Sequence, residues 1–144
     1  MTVAAARPHT DAVVALLIAA GVLVGRGKAP TGGGWASNPG TSTFTGYTVL
    51  YPFTGRDEPT SLGQVHHSLD FTFQLTCVGA TQQQAEGVVD AVRVALVGVT
   101  PTVAGRTAYP VYQLPLGQPV TRDDAVAPPV HYAVVQFHFR SNPT

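Results

Sequence analysis

The chain is poor in the residues that most often announce a chemistry. Its 144 residues include one cysteine, Cys77, which excludes an intramolecular disulfide and a cysteine-based zinc site. Charged residues make up only 11% of it, against about 25% in a typical soluble domain. Eight Lys and Arg balance eight Asp and Glu, a formal net charge of zero. This balance speaks against a nucleic-acid binder built on a basic patch and against a polybasic membrane-surface protein. With 44% hydrophobic residues, it also speaks against disorder, which needs low hydrophobicity and high net charge. A surface with few charges and no net charge tends to associate, so partners are expected to cover much of it. The length suits a single domain over 1–144. Lys28 is the only Lys, and the excess of Arg, Ala, Val, Gly and Pro points to a GC-rich coding sequence.

Ala12 to Val24 is a run of thirteen apolar or small residues. It is shorter than the roughly 20 residues needed to span a bilayer, and no membrane association is expected. Asp11 at its start and the lack of a small-residue cleavage site argue against a secretory signal. A helix from Thr10 to about Val22 fits better, with Thr10 as N-cap and Asp11 in the first turn. Val13, Leu16, Leu17, Ala20 and Val24 follow helical spacing, while Val14, Ile18 and Val22 fall on other faces. A helix apolar nearly all round is buried on more than one side. Its second side is assigned to another subunit, with Leu16 and Leu17 as candidate contact residues.

Thr31 to Gly46 has linker composition, and Trp35 within it is a candidate interface anchor. Tyr47 to Phe53 predicts a strand with Tyr47, Val49, Tyr51 and Phe53 on one face, followed by a polar turn from Thr54 to Gly63. Leu69, Phe71, Phe73, Leu75 and Cys77 alternate strictly with polar residues, a strand with one core face and one wet or partner-facing side. Thr81 and Gln84 form a capping box that opens a helix to about Val97. Ala85, Val88, Val89, Val92 and Leu96 make its apolar stripe; Val94 falls on the polar side and is a further candidate contact. A strand at Tyr109 to Leu114, a loop from Pro115 to Pro129 and a strand at His131 to Phe139 complete the chain. The predicted fold is α+β, a small mostly antiparallel sheet of about four strands with two helices packed on one face. The loops 31–46 and 115–129 are expected to be mobile until docked.

No chemistry assembles from these pieces. His66 and His67 are adjacent and His131 and His138 are seven apart, so in strands each pair points to opposite faces, and surface histidines are expected. Gly25-Arg26-Gly27-Lys28 fails as a phosphate loop: Val22 replaces the first glycine, Ala29 follows the lysine, and a helix precedes it. Ser61, Ser68, His66, Asp57 and Asp70 include no nucleophile elbow, and Cys77 sits on an apolar strand face. Asp57-Glu58 and Asp123-Asp124 read as solvated turn acids beside Arg56 and Arg122. The expectation is a protein that is not an enzyme, with no catalytic residue, metal or cofactor.

The segments Tyr47-Thr48-Val49-Leu50-Tyr51-Pro52, Leu75-Thr76-Cys77-Val78-Gly79, Thr81-Gln82-Gln83-Gln84-Ala85-Glu86 and Asp90-Ala91-Val92-Arg93 occur in an informative order. Together they resemble the tail terminator proteins of long-tailed bacteriophages, most closely those of actinobacteriophages, over about residues 8 to 140. The long Gly-rich loop from Thr31 to Gly46 departs from that pattern. The resemblance implies a structural virion protein that forms a hexameric ring on the head-proximal end of the tail tube. Such a ring ends tube polymerisation and joins the tail to the head. The implied partners are further copies of the chain, the major tail tube protein and the head–tail connector or stopper protein. Genome DNA would pass through the ring lumen without sequence-specific binding. The implied location is the neck region of the virion tail, with host cytoplasm during assembly. Rival readings are another neck or minor tail protein, a secreted small binding module, and an enzyme using His66 or His67.

Overall fold

The computed structural model describes residues 4–58 and 67–144; His66, Ser61 and part of the polar turn lie outside them. The first helix, α1, spans Arg7–Ala19, with Ala6 at the N-cap and no side-chain cap. It therefore starts before Thr10: Pro8 falls in the first turn, where its fixed φ suits a helix and its missing N–H is not needed. Asp11 instead pairs with Arg26 at 2.7 Å, both about half exposed. Gly21, at φ +78°, turns the chain out of the helix.

Among the described residues the main sheet has eight strands, β1 Val24–Arg26, β4 Tyr47–Pro52, β5 Arg56–Glu58, β6 Ser68–Gly79, β7 Arg106–Ala108, β8 Tyr112–Gly117, β9 Thr121–Asp123 and β10 Val130–Pro143. A separate two-stranded hairpin joins β2 Gly34–Trp35 to β3 Phe44–Thr45. The expectation of about four strands is thus corrected, for a physical reason. β4 and β5 both pair with β6, as one line interrupted after Pro52. β7, β8 and β9 pair in turn with β10, as one line interrupted at Pro110 and Pro119. Proline has no N–H for a ladder and is confined to edges and breaks. β1 adds a parallel edge beside β4, which makes the sheet mixed.

β6 and β10 are the axis of the molecule, paired antiparallel from His131↔Gly79 to Ser141↔Leu69. Their inward residues Phe71, Phe73, Phe137 and Phe139 are all 0% exposed. The second helix, α2, spans Gln82–Leu96 and packs Val92, Ala95 and Leu96 onto this face; α1 adds Val13 and Leu17 to the same cluster. Both helices cover one face, as expected. β4 turns Thr48 and Leu50 inward, opposite Cys77 and Leu75. Tyr47, Val49 and Tyr51 consequently share the other face. Gly79 lies directly under the first turn of α2: a Cβ there would stand 2.5 Å from the Ala85 nitrogen.

The stretch 31–46 contains the β2–β3 hairpin, and 115–129 contains the end of β8 and all of β9, leaving 124–129 as the turn into β10. The capping box forms as expected: Thr81 Oγ1 accepts from the Gln84 N–H at 3.1 Å. The Gln84 side chain accepts from the Ala80 N–H at 2.8 Å and donates to the Phe44 carbonyl at 2.8 Å. One side chain therefore both caps α2 and ties the hairpin to it. Gln84→Ala is expected to cost about 1 kcal/mol. It should also speed hydrogen exchange at Ala36 N–H, which bonds Thr43 O across the hairpin. Unchanged exchange there would show that Gln84 does not hold the hairpin.

Candidate assembly surfaces

His9 is 0% exposed, which corrects the expectation of a surface histidine. Its Nδ1 is 2.8 Å from the Ala5 carbonyl. A carbonyl only accepts, so Nδ1 carries the proton, and Nε2 accepts from Ser141 Oγ at 2.6 Å. Arg106 Nε donates to the same Oγ at 2.7 Å, and its Nη2 donates to the carbonyls of His67 and Ser141. The imidazole packs against both Phe71 and Phe139, with ring centroids 5.6 and 5.7 Å away, the three rings forming a triangle. His9, Ser141 and Arg106 resemble parts of a hydrolytic site, but Ser141 is 0% exposed. What they do is pin α1 to the end of β10.

Burial, aided by the Arg106 charge and opposed by the Ala5 hydrogen bond, pushes the His9 pKa below its ordinary 6.5. Below pH 6.5 the unfolded chain takes up this proton before the folded one does. The stability it contributes is therefore fully present above pH 6.5 and is lost as pH falls toward the depressed folded value. Urea unfolding at pH 7.5 and pH 5 should show the acid-side loss. Imidazole NMR titration should find His9 still neutral below pH 6.5; a His9 titrating at or above 6.5 would contradict the buried neutral assignment.

Cys77 is fully buried, its thiol pushed up to about 11 by burial, with Thr48 Oγ1 at 3.7 Å. The thiol is therefore unreactive at neutral pH. His67 is buried too, and Asp57 and Glu58 belong to β5 and not to a turn. Among the described residues no group of three His, Cys, Asp or Glu is placed to hold a metal, and no helix is long and apolar enough to cross a membrane.

The four residues singled out for contacts fall in different environments. Leu17 is 0% exposed and belongs to the chain's own core. Leu16 is half-buried against that core. On α1 the exposed large residue is Ile18, at 63%. Trp35 is half-buried in the hairpin, edge-on to Phe44 at 5.0 Å, and Phe44 stacks on Tyr47 at 6.2 Å. Val94 stands out at 82% exposed in the last turns of α2. The hairpin is tied to the first turn, so Trp35 and Val94 mark opposite ends of that helix. Between α2 and the end of α1 runs an open groove of about 420 Å³, lined by small residues such as Gly21, Gly46, Gly87 and Ala91.

A further surface was not singled out from the sequence: the sheet face away from the helices. Tyr51 pairs with Gln74 and Tyr112 with His138, so all four share this face. Tyr51 and Phe53 are 42% and 47% exposed at one flank; Tyr109 and Tyr112 are 48% and 51% exposed at the other. Between them His138 Nε2 lies 3.6 Å from Asp70 Oδ1, and the Tyr112 ring covers His138 at 4.9 Å. Burial holds His138 below the usual histidine range, outweighing Asp70; Arg140 pushes the same way. His138 Nδ1 and Arg140 Nε are buried with no hydrogen-bond partner among the described residues. The alternation of β6 and β10 carried the signal for this face, whose polar half reads as solvent until the flanking aromatics are placed beside it.

No protein-family model and no curated protein matches the chain. Solved structures do. One, described as the virion of a native gene transfer agent particle, superposes with a TM-score of 0.57 and 18% identity over 95% of this chain and 91% of its own. A second superposes with a TM-score of 0.51 and 13% identity over 94% of this chain and 96% of its own. The chain thus has, over nearly its whole length, the fold of a component of a gene transfer agent virion.

Proposed function

We propose that this protein is a structural virion component, a tail terminator that caps the head-proximal end of a tail tube as a ring. The observation that carries this reading is the fold likeness to a virion chain, nearly complete in both directions. The order of the segments resembling tail terminators, from Tyr47 to Arg93, narrows it to the terminator role. The physical features agree. Low charge, exposed apolar residues on both helices and an aromatic-flanked sheet face suit a subunit largely enclosed by neighbours. A tube grows by repeating one open contact that does not limit its own length. A terminator matches the growing end on one side and lacks that surface on the other. Closure into a ring, expected to be a hexamer, lets several weak contacts act together. On this reading the partners are the tube protein and the head connector or stopper, and DNA passes the lumen unread. The protein acts in the neck of the virion after assembling in host cytoplasm.

The test is reconstitution. Purified protein added to tube subunits polymerising in vitro should bind one tube end, arrest growth and appear there as a ring by negative-stain microscopy. Tubes that elongate unchanged in its presence, with no end density, would overturn the terminator role.

A further inference from the structure

The outer side of α2 carries features that the fold of its own chain does not require. Gly87 sits in the middle of the helix, where glycine is less favourable than alanine. A Cβ built on it would meet nothing within 4 Å, so no neighbour in the chain needs the side chain absent. Gly87 and Ala91 line the open groove beside α2. Val94, one turn beyond Ala91 on the same stripe, is 82% exposed, more than any other large hydrophobic among the described residues. The helix thus presents a hollow at its middle and an apolar projection after it. Neither feature helps a chain that stays alone in water.

The charges flanking this stripe are ordered too. Glu86 and Asp90 are four residues apart, and like charges at that spacing on a helix repel. Arg93 follows them, and all three are exposed. None of the three makes an ion pair among the described residues. A second α2 running in the opposite direction answers every one of these features. With a twofold axis at Ala91, residue 94 of one copy comes level with residue 88 of the other, and residue 93 with residue 89. Val94 then meets the hollow beside Gly87. Arg93 stands between the two acids, about 1.5 Å along the axis from the level of Asp90 and about 4.5 Å from that of Glu86. A parallel pair would instead set Val94 on Val94 and Arg93 on Arg93.

We infer that α2 packs antiparallel against α2 of a second copy about a twofold axis near Ala91, with Val94 of each copy seated in the groove of the other. The glycine and alanine at the contact let the two helices approach closely, and Arg93 of each copy bridges Glu86 and Asp90 of the other. The contact is isologous, so it closes on itself at two copies. A ring closes through a different, head-to-tail contact. The pairing therefore goes beyond the terminator reading and stands or falls without it.

Filling the hollow tests the pairing. Sedimentation of the full-length protein should show a concentration-dependent dimer that Gly87→Phe weakens roughly tenfold or more, as expected when a well-packed contact is lost. The melting temperature of the dilute Gly87→Phe protein should be unchanged or higher, because the helix gains a better helix former in open space. Arg93→Glu should weaken the dimer as well, and adding Asp90→Arg should bring it back to within about threefold of the native protein. A single cysteine reads the symmetry. Ala91→Cys, mildly oxidised, should join two copies at least about tenfold faster than Ala29→Cys in the exposed turn after β1, since only a twofold contact sets a residue against itself. The buried Cys77 stays out of it. A native protein that remains monomeric at the highest attainable concentration would overturn the inference. So would a Gly87→Phe protein that dimerises as the native one does, whatever its binding to tail tubes, or an Ala91→Cys protein that cross-links no faster than the control. Arrest of tube growth by a protein that fails these tests would leave the terminator reading standing; tubes elongating past a protein that passes them would sink that reading and leave the dimer.

Discussion

Phe73→Ala is expected to destabilise the isolated protein by about 3–5 kcal/mol and to lower its melting temperature by roughly 10 °C or more. Phe73 is 0% exposed and stacks on Phe137, its register partner, at 5.6 Å. Phe71 and Phe139 stand 5.8 and 6.5 Å away. These four rings form the contact between the two central strands and the helical layer. Removing one leaves a cavity walled by the two longest strands, which are held by ladder bonds on both sides and cannot collapse into it. Domains are stable by only about 5–15 kcal/mol, so one ring is a large share of the total. Thermal melts read by circular dichroism check this. A loss below about 1 kcal/mol would mean that the aromatic cluster is not where the stability lies.

Asp substitutions at Leu17 and Val94 should behave in opposite ways. At Leu17 a carboxylate would enter a fully buried apolar site with no partner, a cost of several kcal/mol, and little folded protein is expected. Val94, 82% exposed, should tolerate Asp with a change within about 0.5 kcal/mol in the isolated protein. Any tail-joining defect of Val94→Asp in particles would therefore report a lost contact and not a lost fold. A Leu17→Asp protein with native stability would contradict the packing of α1. A Val94→Asp protein that fails to fold would show that α2 packs on its outer side too.

Strict alternation from Leu69 to Cys77 and the Thr81–Gln84 box gave β6 and α2 from sequence alone, since each is a local pattern with a local cause. The last strand was equally legible, although it runs past Phe139 to Pro143. What stayed hidden depends on partners distant in sequence. His9 reads as polar until Ser141, 132 residues away, is placed against it. Residues 24–26 are too short to read as a strand without β4 to pair with in parallel. Prolines at 110 and 119 made one edge line look like a short strand and a loop. For the candidate contacts, spacing placed Leu17 in an apolar run but not its side, and the core claimed it. The exposure of Val94 is legible because an apolar residue on a charged helix face breaks the helical period. The flanking aromatics Tyr51, Phe53, Tyr109 and Tyr112 belong to separate segments, and only the sheet brings them to one side.

On the proposed reading the protein ends tail growth and joins tail to head. Electron microscopy of lysates from a phage lacking it tests this most directly. The account predicts filled heads without tails and free tails, some of them abnormally long, with both defects reversed when the protein is supplied in trans. Tails of normal length joined to heads in its absence would contradict the account.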